Sequence, residues 1–157
     1  MNNLLLKLAL TATVCTLLSS NPTAAQILPP MKRAERVEIT KAPALELAMD
    51  HLTIIRWTTN NPGGTDVHFG VVHYGTDPKD LSQTAKSPIR VNRGHPETIF
   101  RVRMPGLKPQ TTYYYKVTSM ESNGKSDGVE SPVNQFTTPA PGERIVNYPP
   151  QPVAQPE

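Results

Sequence analysis

Residues 104–119 read "MPGLKPQTTYYYKVTS", a Leu-x-Pro corner at Leu107 and Pro109 followed by three consecutive tyrosines. Side chains alternate along an extended strand, so Tyr113, Tyr115 and Val117 share one face and Tyr114, Lys116 and Thr118 the other. A tyrosine just past such a corner can bury its ring and send its hydroxyl back to the corner backbone. This tyrosine corner satisfies a buried polar group and fixes a crossover between two sheets. Tyr113 is the residue placed to do this, with Leu107, Pro109 and the upstream Trp57 as further structural supports. The run is therefore read as scaffolding, not chemistry.

Working outward, about 100 residues around this stretch lack a helical period and alternate short β-rich runs with turn signals. "RVEIT" (36–40) is the first run, broken near Ala42–Pro43. "HLTIIRWTT" (51–59), "DVHFGVVHYG" (66–75), "SPIRVN" (87–92), "ETIFRVRM" (97–104), "TTYYYKVTS" (111–119) and "VNQFTT" (133–138) follow, with turn-rich "ESNGKSDG" before the last. Alternation turns Phe100, Val102 and Met104 inward and Arg101 and Arg103 outward. Placing Trp57 inward also buries Ile55 and Thr53, turns Arg56 out, and leaves Ile54 on the surface, an awkward combination that signals a bulge or slipped register. In the third run Val72 and Tyr74 are taken as inward. Seven strands at this spacing predict an all-β, immunoglobulin-like sandwich.

The ends of the chain are of a different nature. Lys7 and the apolar stretch "LALTATVCTLL", followed by small residues at Thr23 and Ala25, read as a secretory signal over residues 1–25, cleaved after Ala25. The stretch is shorter than the roughly 20 residues of a membrane span. Cys15, the sole cysteine, leaves with the signal, so the exported chain has no disulfide, thiolate metal site or cysteine nucleophile. Residues 26–35 read as a linker, residues 36–138 as the sandwich, and residues 139–157, with six prolines, as an extended and mobile tail. A formal charge of +3 without clustered cations does not fit nucleic acid. The expected location is secreted or periplasmic.

The elements "TIIRW", "VVHYG", "LKPQTTY" and "VNQFTTP" together resemble a fibronectin type III domain over roughly residues 36–139. More narrowly, "VVHYGTDPKDLSQTA", "GLKPQTTYYYKV" and "FTTP" are similar to the amino-terminal sandwich domain of purple acid phosphatases. In that family the sandwich precedes a separate catalytic domain holding a dinuclear metal centre that hydrolyses phosphate esters. The metal-binding blocks of that catalytic domain are absent; "GHPE" (94–97) is a superficial echo. The resemblance implies the fold and not the activity.

The residues themselves point the same way. His68 and His73 are five apart on one strand and face opposite sides, so they do not share a metal, while His51 and His95 fall at strand edges or loops. A cluster with Asp66 or Asp77 is conceivable, but ordinary exposed histidines are the expectation. No Gly-x-Ser-x-Gly elbow and no phosphate-cradling glycine loop occurs. No metal, cofactor or catalytic residue is therefore assigned. The candidate binding surface is Arg56, Arg101 and Arg103, joined by Arg36 and partly compensated by Glu38, with Tyr114 as the aromatic a glycan would stack on. The expected function is non-catalytic association with a protein or an anionic envelope polymer. Docking of a separate phosphatase chain and binding of envelope polysaccharide are the alternatives.

Overall fold

The computed structural model describes residues 34–92 and 94–147; the expected signal segment, most of the expected linker and residues 148–157 lie outside the described residues. The described chain is nine β-strands with no helix: β1 (Ile39–Met49), β2 (Leu52–Asn60), β3 (Val67–Gly75), β4 (Gln83–Arg90), β5 (Glu97–Pro105), β6 (Thr112–Glu121), β7 (Ser126–Glu130), β8 (Asn134–Thr137) and β9 (Arg144–Val146). Two sheets form, one ordered β5-β2-β1-β9 and the other β4-β3-β6-β7 with β8 also paired to β6. All strand pairs are antiparallel.

The period-two pattern places the core as expected. Ile55, Trp57, Phe100, Val102 and Met104 from the first sheet meet Val72, Tyr74, Tyr113, Tyr115, Val117 and Phe136 from the second. Trp57 and Phe100 are direct cross-strand partners and stack with ring centroids 5.1 Å apart. Opposite them the second sheet presents Gly70, where an added Cβ would lie 2.8 Å from the Trp57 ring and 2.9 Å from Val102. A bare backbone is what lets the sheets close over two large rings. Val72 and Tyr74 do face inward; Val71 is outward yet also buried, between its cross-strand neighbours Lys86 and Thr118.

Thr53 is fully buried with its hydroxyl unpartnered, while Ile54 is half-buried on the outer face. The awkward alternation of β2 is thus real, since β2 pairs with β5 in unbroken register from Leu52↔Pro105 to Asn60↔Glu97. The irregularity lies in β1, whose pairing with β2 shifts between Ile39 and Lys41, between Lys41 and Ala44, and between Leu45 and Leu47. The strand expected at 36–40 therefore begins at Ile39 and runs on through Ala42–Pro43, because a β-bulge absorbs the proline instead of ending the strand. Residues just upstream are pinned to β2: the Asn60 side chain accepts from the Glu38 N–H at 2.9 Å and donates to the Arg36 carbonyl at 2.9 Å.

Two further strands depart from the seven expected. β7 forms inside the turn-rich stretch, where Gly124 and Gly128 take positive φ and let a tight return strand pair with β6. The expected tail from residue 139 also contributes a strand: β9 pairs Leu47↔Val146, Ala48↔Ile145 and Met49↔Arg144. Backbone donors and acceptors on the edge of β1 give this short segment its partners.

The tyrosine corner has the predicted form. The Lys108 N–H donates to the Tyr113 hydroxyl at 3.0 Å, and the ring packs against Phe136 and Tyr74. Thr138 latches the same corner, accepting from the Thr111 N–H at 2.9 Å and donating to the Lys108 carbonyl at 2.6 Å.

Candidate functional site

The outer face of the first sheet carries the arginines. Arg56 and Arg101 are cross-strand partners on β2 and β5, and Arg103 follows two residues along β5 opposite Ile54. Arg101 and Arg103 are exposed, as alternation against buried Phe100, Val102 and Met104 requires. The register thus brings all three to one surface.

Their charge partner is a residue the alternation pattern did not supply. Glu46, at the β1 bulge between Leu45 and Leu47, accepts from the Arg101 Nε at 3.1 and 2.7 Å and sits 3.8 Å from the Arg56 Nε. Glu46 is itself nearly buried, so its charge is held by these two guanidiniums. The compensation expected from Glu38 is thus provided by Glu46. The only sequence signal was a lone glutamate inside the apolar run "ALELAM".

Further along the face, Lys41 pairs with Glu97 at 3.5 Å, and the Thr40 hydroxyl donates to the same carboxylate at 2.8 Å. That hydroxyl, with Lys41 beyond it, holds the Glu97 carboxyl below its ordinary range. Arg103 makes no ion pair among the described residues. The face thus carries Lys41, Arg56, Arg101 and Arg103 against Glu46 and Glu97, a surplus of positive charge that centres on Arg103.

Beside the arginines an open groove of about 520 Å³ follows β1, lined by Lys41, Ala44, Leu45, Arg56, Trp57 and Val146 among others. Arg36 does not join this surface. It lies at the other margin of the sandwich, beside Gly128 and Val129, because the upstream chain is tied to the end of β2 by Asn60. Tyr114 is half-buried on β6, in the other sheet, between Gly75 and Gln135 in register. The arginines and Tyr114 are therefore separate surfaces on opposite sides of the molecule.

The histidines are dispersed, and one differs from expectation. His68 is not exposed but fully buried, its Nδ1 3.0 Å from Asp127 Oδ2 and its Nε2 2.8 Å from the Gly63 carbonyl. A carbonyl only accepts, so Nε2 is the donor to Gly63, and Nδ1 faces the Asp127 carboxylate. Asp127 also accepts from the Ser119 hydroxyl at 2.6 Å. Serine, histidine and aspartate thus meet, but the serine bonds the carboxylate and both imidazole nitrogens are occupied, so no base faces a nucleophile. The cluster ties β3, β6 and β7 to the loop before β3.

His73 is half-buried on the opposite face of β3, bonded to the Thr118 hydroxyl at 3.1 Å, and burial followed by the nearby Lys116 lowers its pKa. His51 is exposed at the β1–β2 turn beside Asp50, and His95 lies in the β4–β5 loop. Asp77 caps its own turn by accepting from the Lys79 N–H at 2.8 Å. Among the described residues no three metal-ligating side chains converge.

Comparison with known proteins places this architecture. Residues 45–138 match the family described as the purple acid phosphatase, N-terminal domain. The chain belongs to that family. No curated protein matches the sequence. Among solved structures, the solution structure of the sensor domain of the anti-sigma factor RsgI4 of Pseudobacteroides cellulosolvens is similar, at 18% identity and a TM-score of 0.50, covering 76% of this chain and 92% of that one. A human fibronectin type III domain, from fibronectin type III domain containing protein 3, has 19% identity and a TM-score of 0.42, with 69% and 92% covered. At these identities the likeness is one of fold. The purple acid phosphatase N-terminal-type domain described here is thus a sandwich of two antiparallel sheets.

Proposed function

We propose that the protein is an exported, non-catalytic binding module whose outer β5-β2-β1-β9 face associates with an anionic polymer of the cell envelope. The observation that carries this reading is Arg103, exposed and without an ion pair among the described residues, next to Arg101 on a face with excess positive charge. Guanidiniums take phosphate or carboxylate groups through paired N–H donors. A flat sheet fits a repeating polymer better than a small substrate. Export is supported by the apolar stretch after Lys7 and by the confinement of cysteine to position 15.

The test is retention of the purified protein on immobilised phosphate-bearing envelope polysaccharide at increasing salt. Arg103→Ala is expected to weaken binding by roughly 3- to 10-fold and flatten the salt dependence, as for other charges at an association surface. Arg101→Ala also releases Glu46, so it lowers binding together with stability. Retention unchanged in Arg103→Ala, or lost only in Tyr114→Ala, overturns the arginine face as the site.

The family match favours a second reading: a sandwich that docks a separate metallophosphoesterase chain. It predicts co-purification of such a chain from envelope extract. A phosphatase assay on the protein alone, with added iron, zinc or manganese, is expected to show no turnover under either reading.

A further inference from the structure

We propose that the outer face of the second sheet carries a site for a small oxyanion, a carboxylate or phosphate group borne on an apolar body. The inference is independent of the binding role above and concerns a different surface. It rests on a cavity of about 410 Å³, within the roughly 300–1,000 Å³ of small-ligand pockets. The floor is His73 and Lys116, cross-strand partners on β3 and β6. One wall is the β3–β4 turn with Pro78, Lys79 and Leu81; the other is Glu130 of β7 and Val133 of the β7–β8 connection.

Local sequence builds both walls. At Gly75 an added Cβ would stand 2.0 Å from the Asp80 carbonyl oxygen, so bare backbone is what lets the turn fold back this closely. Asp77 closes the turn: its carboxylate accepts from the Lys79 N–H at 2.8 Å and its carbonyl from the Asp80 N–H at 3.1 Å. On the other side the Pro132 carbonyl accepts from the Ser131 hydroxyl at 2.8 Å and from the Asn134 amide at 2.9 Å. That same hydroxyl accepts from the Val117 N–H at 3.0 Å. A loop pinned in this way keeps Val133 49% exposed, the highest value for a large hydrophobic among the described residues.

The charges leave one cation over. Lys116 pairs with Glu130 at 3.0 Å, so these two wall charges offset each other. The Lys79 ammonium makes no ion pair among the described residues, and the neighbouring Asp77 carboxylate is turned onto the backbone. His73 bonds the Thr118 hydroxyl through Nε2 at 3.1 Å, while Nδ1 has no hydrogen-bond partner among the described residues. An oxyanion favours the tautomer in which Nε2 accepts from Thr118 and the Nδ1–H donates to the ligand. Lys79 adds a point charge to that donor. Pro78, Leu81 and Val133 offer apolar surface beside both, so an anion with an apolar substituent uses the whole cavity.

The test is titration of the full chain with phenyl phosphate, benzoate and inorganic phosphate, each to about 10 mM, followed by amide and imidazole NMR signals. Phenyl phosphate or benzoate is expected to displace the signals of His73, Lys79, Leu81 and Val133, and the tighter binder identifies the oxyanion. Burial, then Lys116, lowers the His73 pKa, with Glu130 opposing and Lys86 adding to the effect. A bound anion is expected to raise it, because negative charge favours the imidazolium. Inorganic phosphate, which lacks the apolar body, is expected to bind at least about threefold more weakly than the tighter of the two. Lys79→Gln should weaken binding about 3- to 10-fold, and Val133→Ser about threefold. Both side chains are exposed, so these variants keep the fold. Arg103→Ala should leave the titration unchanged. No displacement at these residues, the same affinity in Lys79→Gln as in the parent, or equal binding of inorganic phosphate overturns the proposal. So does displacement centred on Arg101 and Arg103, which would return the anion to the first sheet.

Discussion

Three buried side chains show how single residues hold this sandwich. The Tyr113 hydroxyl accepts the Lys108 N–H at the corner, so Tyr113→Phe leaves a backbone donor without its partner. The expected loss is about 1–2 kcal/mol in urea unfolding with an unchanged denaturant slope; no loss would remove the corner from the list of fasteners. His68 is buried between Asp127 and the Gly63 carbonyl. His68→Ala strands the Asp127 carboxylate in the interior, and a loss of about 3–5 kcal/mol is expected, whereas a variant within about 1 kcal/mol of the parent would show that the pair is dispensable. Burial pushes Tyr115 up to about 12. Its folded pKa lies above the unfolded value near 10, so the neutral phenol is favoured by folding. The corresponding stability is fully present below about pH 10 and is lost as pH rises toward 12, amounting to about 2 kcal/mol. Unfolding at pH 9 and at pH 11.5 measures it, and Tyr115→Phe should remove that part of the decline. Tyr113 was legible because corner and strand are adjacent in sequence; the partner of His68 was not, because Asp127 is on another strand pair and no local pattern links them.

At the scale of elements, β5 and β6 could be read almost completely: large apolar residues alternate with arginines in β5, and Tyr113, Tyr115 and Val117 follow the corner on one face of β6. β1 could not. Its run "APALELAM" is rich in residues with little strand preference, contains Pro43, and shifts register three times against β2, so neither propensity nor period marks it. The consequence reached the candidate site, for the bulge that hid β1 is what aims Glu46 at Arg56 and Arg101. β9 was missed for a related reason: three exposed residues without alternation form a strand only because β1 offers an edge. The β3–β4 hairpin gives a test of an element's own geometry. A Cβ at Gly75 would stand 2.0 Å from the Asp80 carbonyl oxygen, a backbone atom with little room to yield. Gly75→Ala is expected to cost about 1–3 kcal/mol by overpacking, with amide exchange accelerated first at residues 76–82. A neutral substitution would mean the turn can open without cost.

For the whole molecule, two sheets create two outer faces of different character. One carries Arg56, Arg101 and Arg103, the other Tyr114 with Lys86, Lys116 and His73. Alternation alone assigned each side chain inward or outward, but which strands share a sheet, and so which outward residues are neighbours, depends on topology. The direct pairing of β2 with β5 is what brings the three arginines together. Alternation also did not show that Arg56 and Arg101 share a carboxylate, which concentrates the available charge on Arg103. The direct measurement is the affinity of the purified protein and of Arg103→Ala for phosphate-bearing envelope polysaccharide, by calorimetric titration at several salt concentrations. The parent should bind with an affinity that falls as salt rises, and the variant should bind several-fold more weakly with a shallower fall. Equal affinities and equal salt slopes for the two proteins would contradict a binding face built on these arginines.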